Sequence, residues 1–199
     1  MRNPGRFSHR PGPGGYARRV RHFALSAIGR DRPGIVAAVT GALLGHGVNI
    51  EDSHMTILRG RFSLVLVLAA GDDVDEEALR SDLRAAGRDV GLEALSLDPV
   101  SELQRGGEAR PGAIVSVYGV DHPGIVHAVA AAAAERGIDI TDLTARLVGD
   151  AEGAGLYAVA MEIALPQGVP LDEVEEAFAA VGRDQGVDVS VRAIEEDVL

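Results

Sequence analysis

One stretch of the chain occurs twice. Gly29-Arg30-Asp31-Arg32-Pro33-Gly34-Ile35-Val36 returns ninety residues later as Gly119-Val120-Asp121-His122-Pro123-Gly124-Ile125-Val126. The same offset pairs Ala38 with Ala128, Val39 with Val129, Gly47 with Gly137, Ile50 with Ile140 and Asp52 with Asp142. That period is too long for a solenoid unit and suits two copies of one small domain. With 199 residues, 46% of them hydrophobic, the chain has apolar material for two small cores.

The repeated stretch has a readable mechanism. An apolar strand runs into it, over residues 23–28 and 113–118, and an amphipathic helix runs out of it. Proline is best tolerated in the first helical turn, which places Pro33 and Pro123 there and makes Arg32 and His122 the last non-helical positions. Gly34 and Gly124 then leave the first-turn N–H groups open. Unpaired N–H groups and the helix dipole make such a turn a small anion site. The same residues also serve as a plain helix start, and the pattern does not choose between the two.

Each copy reads strand, helix, strand, strand, helix, strand. In the first, a helix over 33–46 carries Ile35, Val36, Val39, Ala42 and Leu43 on one face, and Gly47 stops it. Strands follow over 48–58 and 62–70, joined by a hairpin at Arg59-Gly60-Arg61. Residues 62–70 are apolar at successive positions, which predicts that both faces of this strand are covered. Asp72, Asp73 and Asp75 crowd the start of a second helix striped by Leu79, Leu83 and Ala86, and residues 92–97 close the copy. The second copy repeats the order, with a longer hairpin loop over 150–155 and a helix striped by Leu171, Val174, Phe178 and Val181. This order gives an α+β fold of two tandem ferredoxin-like βαββαβ domains, each an antiparallel sheet with helices on one face. The expected domains are 23–97 and 113–196, joined by a Pro- and Gly-containing linker over 98–112. Pairing the two units, within the chain or in a homodimer, would cover their open faces and edges.

Residues 1–22 carry six Arg and no acid, so the rest of the chain holds −17 of a net −11. This stretch reads as a disordered basic tail whose removal through residue 21 leaves stability unchanged. An acidic body repels phosphate backbones, which argues against direct nucleic-acid binding. Cysteine is absent, in keeping with a cytoplasmic location, and no apolar run is long enough to span a membrane.

Asp-x-Pro-Gly-Ile, followed about a dozen residues later by Gly47-Val48-Asn49-Ile50-x-Asp52, resembles an ACT domain. The resemblance covers both copies, and two units without a catalytic domain are similar to the glycine cleavage system transcriptional repressor group. It implies a regulatory protein that binds a small amino acid where paired units meet, glycine or serine being the first to try. It also implies action through a partner such as a transcription regulator or an enzyme. The ligand-binding positions it implies are Asp31, Arg32, Gly34, Ile35, Asn49 and Ile50 in the first copy. In the second they are Asp121, His122, Gly124, Ile125, Asp139 and Ile140. Helix-start N–H groups and Arg32 would take a carboxylate, and Asn49 or an acid would take the ammonium. Asp139 only accepts when ionised and His122 is less positive than Arg32, so the first copy is the better site.

No catalytic residue, metal site or cofactor is expected. His46, His54, His122 and His127 lack ligand spacing, and the acids of 72–77 and 172–176 read as solvated helix starts. Ser26 and Ser116 lie in strands without a nucleophile elbow, and no glycine-rich nucleotide motif occurs. Two further readings stay open. The chain could be an assembly module without a ligand, or the regulatory remnant of a formyltetrahydrofolate deformylase-like enzyme.

Overall fold

The structure, a computed structural model, describes residues 20–101, 111–148 and 155–194. The first unit contains β1 (Val20–Arg30), α1 (Ile35–Gly45), β2 (Asn49–Leu58), β3 (Arg61–Gly71), α2 (Glu76–Asp89) and β4 (Leu92–Val100). The second contains β5 (Ala113–Val120), α3 (Ile125–Ala134), β6 (Asp139–Val148), β7 (Leu156–Ala164), α4 (Leu171–Gln185) and β8 (Asp188–Ala193). The sheets are antiparallel, ordered β2-β3-β1-β4 and β6-β7-β5-β8, so the tandem ferredoxin-like reading holds.

Strand alternation builds each core. Phe23, Leu25 and Ala27 of β1 and Phe62, Leu64, Leu66 and Leu68 of β3 point to one face of the sheet and are buried. Ile35, Val39 and Leu43 of α1 and Leu79 and Leu83 of α2 close that face. In the second unit Val115, Val117, Met161 and Ile163 meet Ile125, Val129, Val174 and Phe178. Ala132 and Ala133 are buried too, so part of the alanine run of α3 is close packing.

Several expectations need correction. Val36 is 42% exposed because it lies off the i, i+4 stripe of α1. Within the first unit Val65 is 48% exposed, so the helix-free face of β3 is uncovered there. β4 continues to Val100, into the stretch read as linker, and pairs Phe23 with Pro99. Gly112, also assigned to the linker, exchanges backbone hydrogen bonds with Ile163 and Ile194.

The tail reading fails at its end. Val20 and Arg21 belong to β1, pairing with Gly71 and Ala70. Arg21 donates to the carbonyl of Val74, lies 3.5 Å from Glu76, and covers the Phe23 ring at 5.6 Å. Removal through residue 21 would therefore strip a strand end and a cation–π contact. Residues 1–19 and the loop over 150–154 lie outside the described residues.

α2 starts as its acids predict. Asp75 is the N-cap, and its carboxylate accepts from the N–H groups of Glu77 at 3.0 Å and Ala78 at 3.1 Å.

Candidate functional site

The two helix starts are built alike, though not as the proline pattern predicts. α1 and α3 begin at Ile35 and Ile125, and Pro33 and Pro123 belong to the preceding turn. Gly34 and Gly124 are the N-caps, at φ 98° and 108°. A side chain is strained at such angles, so conformation is what requires glycine here. Space does not, because a Cβ on Gly34 would have nothing within 4 Å.

Neither helix has a side-chain cap or an acid in its first turn. The first internal bonds run from Ala38 N–H to the Gly34 carbonyl and from Ala128 N–H to Gly124, both at 2.9 Å. No side chain among the described residues caps the N–H groups of residues 35–37 and 125–127, which is what an anion site at a helix start needs. Asp31 and Asp121 are exposed, and each donates its backbone N–H at 2.9 Å to the end of a neighbouring hairpin, at Gly60 and Gly155.

Arg32 and His122 reach toward the other helix. The Arg32 guanidinium lies 2.8–3.0 Å from the Cβ position of Gly91, in the turn between α2 and β4. His122 presents Nε2 to the Gln185 carbonyl at 2.8 Å and Nδ1 to the Pro123 carbonyl at 3.1 Å. Two carbonyls can both be satisfied only by the doubly protonated ring. Those bonds raise its pKa above the usual histidine value, desolvation opposes them, and Asp121 adds to the rise. Gln185 ends α4, where the helix dipole also favours a cation.

A raised folded-state value gives stability that is fully present below the unfolded value of about 6.5. It is lost as pH climbs through the higher folded value. Thermal melts of the wild type from about pH 5 to pH 9 should show this loss, and His122→Gln should flatten it. Equal pH profiles for the two proteins would show that the ring does not act this way.

Asn49 and Ile50 stand elsewhere. Arg30, which enters the loop, pairs with Arg61 of β3, whereas Asn49 pairs with Ala69. Those partners are eight residues apart along β3, or roughly 26 Å. Helix α1 carries the chain down the sheet, so within one unit Asp31, Arg32, Gly34 and Ile35 share one end and Asn49 and Ile50 the other. The second unit repeats the separation, with Val120 opposite Leu156 and Asp139 opposite Ala164. Asp121, His122, Gly124 and Ile125 are likewise at the end away from Asp139 and Ile140.

An open groove of about 540 Å³ lies beside Asn49 and Ile50, lined also by Ala37, Thr40, Gly41, Leu43, Leu44 and Val48. The sequence reading missed Ala37, Thr40, Gly41 and Leu44. Leu44 was detectable, being a leucine off the buried stripe, and it is 79% exposed. In the second unit an open groove of about 620 Å³ lies where α4 passes to β8, with Tyr118, Arg183 and Asp188 as its polar lining.

The other histidines among the described residues have protein partners or no site. His46 meets Asp82 at 2.9 Å and His22 meets Glu51 at 3.3 Å. No described helix is long and apolar enough to cross a membrane.

The ACT domain family model matches residues 21–95. A UPF0237 protein of Methanopyrus kandleri is 39% identical over 72 residues, which cover 36% of this chain and 80% of that protein. Among solved structures, a protein of unknown function from Galdieria sulphuraria superposes with a TM-score of 0.73 at 27% identity. That match covers 89% of this chain and all of the other. A protein described as a candidate glycine cleavage system transcriptional repressor superposes with a TM-score of 0.66 at 22% identity, over 89% of this chain and 99% of that one, a likeness of fold. Sequence in the first unit and topology in both lead to one conclusion: the chain belongs to the ACT-domain family, as a tandem pair of ferredoxin-like units.

Proposed function

We propose that the chain is a regulatory module that binds a small amino acid and passes that binding to a partner protein, without carrying out a reaction. The observation that carries this reading is the helix start repeated in both units, its N–H groups uncapped and its first turn free of acid. Such a turn suits a carboxylate. Asn49 suits the ammonium end, because its amide oxygen accepts.

The distance between loop and Asn49 shapes the proposal. One small ligand can touch both only if the loop of one unit stands beside the second strand of another running the opposite way. A second copy of the chain supplies such a unit, so the binding form is proposed to be a dimer. A purely structural role is the second reading, favoured by exposed Ile28 and Val65 on the open sheet face of the first unit.

Calorimetric titration of the full chain with glycine and then serine tests the first reading. Binding is expected, with a rise in Tm, because a ligand of the native state stabilises it. Asn49→Ala should weaken binding by roughly 1 kcal/mol or more. Absence of binding by every proteinogenic amino acid would leave the structural role. Unchanged affinity in Asn49→Ala would remove Asn49 from the site.

A further inference from the structure

At one end of the first unit, arginines gather in a chain whose net charge is −11. Arg30 stands directly opposite Arg61 in the ladder of β1 and β3. Arg59 sits at the hairpin tip beside Gly60, whose carbonyl holds the Asp31 N–H at 2.9 Å. Arg32 lies against Gly91, and the Gly91 N–H bonds the carbonyl of Arg88 at 3.0 Å. Loop, hairpin and helix end thus bring the five side chains to one end of the sheet.

Of the five, Arg61 alone forms an ion pair among the described residues. Glu93 takes it through both carboxylate oxygens, at 2.7 and 2.5 Å. Arg61, with Arg30 behind it, holds the Glu93 carboxyl below the usual carboxylate range. No ion pair or side-chain hydrogen bond joins Arg30, Arg32, Arg59 or Arg88 to a described residue.

Two features of this end work against stability. Arg59 has φ 50°, where a long side chain is disfavoured, and it is the one non-glycine residue with positive φ among the described residues. Like charges directly opposite in a ladder repel, as Arg30 and Arg61 do. The second unit avoids that pair, with Val120 opposite Leu156. Repetition of the fold therefore does not require the arginines.

We propose that this end of the first unit is a docking surface for an acidic segment of a partner protein. Exposed Ile57 and Leu58 border the arginines, so the surface offers apolar contact beside positive charge. Nucleic acid fits less well, because Asp31 and Glu93 are interleaved and the chain as a whole is acidic. The surface shares Arg32 and its end of the sheet with the amino-acid reading, but it does not rest on that reading, and the variants that test it leave Arg32 in place.

Fluorescence anisotropy of the full chain with a labelled peptide of repeated Glu-Glu-Leu tests this. Salt-sensitive binding is expected, and Arg30→Gln with Arg59→Gly should weaken it roughly tenfold. Glycine suits the Arg59 backbone and glutamine removes the like-charge pair, so the variant should stay folded, as its melting curve will show. Arg146→Gln with Arg192→Gln removes the same charge from the second unit and should weaken binding less than roughly twofold. The proposal is overturned if the peptide does not bind or if the two variants lose affinity equally. Tighter binding of single-stranded DNA or inorganic tripolyphosphate than of the peptide would overturn it too.

Discussion

Gly182→Ala should destabilise the second unit by about 2 kcal/mol, whereas Gly87→Ala, at the equivalent place in the first, should be neutral or stabilising. Both glycines are buried on the inner face of the second helix of their unit. In an open helix the change would add up to about 1 kcal/mol through propensity. At Gly87 the new methyl would meet Leu92 Cδ1 and Leu95 Cδ1 at 3.4 Å, ordinary contact with side chains that can adjust. At Gly182 it would come within 2.7 Å of the Val187 carbonyl oxygen and 2.9 Å of Val189 Cγ2. That carbonyl cannot easily retreat, because the Val187 N–H is bonded to the Gly182 carbonyl at 2.9 Å. Overpacking therefore outweighs propensity in one unit only. Hydrogen exchange resolved by segment would assign the loss to a unit, which a single melting curve of a two-unit chain cannot do. Increased protection of the second unit in Gly182→Ala would show that α4 shifts without cost.

The topology was legible because the repeat and the apolar alternation agree at every element. Ends were harder to read. Pro99 looks like a linker residue, yet β4 is an edge strand paired only with β1, where proline is tolerated. Arg21 looks like part of a basic tail, and only the fold places Val74, Glu76 and Phe23 around it. The separation of Asn49 from the Asp31 loop could not be read either. Residues 31 and 49 are close in sequence, but the helix between them spans the sheet. Contacts that depend on antiparallel register, such as Arg30 opposite Arg61, have no signature in either segment alone.

Gly34→Val should cost about 3 kcal/mol of stability, and Gly34→Asn about 1 kcal/mol or less, although both leave the surrounding space unfilled. Nothing lies within 4 Å of a Cβ at Gly34, so the first atom of either side chain meets open space. The difference comes from φ 98°, a region that β-branched residues avoid and asparagine tolerates better. Equal losses would point to something other than backbone conformation. The pair also bears on the amino-acid reading. Loss of binding in Gly34→Val would follow from a displaced turn and says little about contact with a ligand. Gly34→Asn keeps the turn and its uncapped N–H groups, so if those groups hold the carboxylate, its calorimetric affinity should stay within roughly threefold of wild type. A folded Gly34→Asn protein that no longer binds an amino acid bound by wild type would show that the ligand does not rest on backbone N–H groups alone.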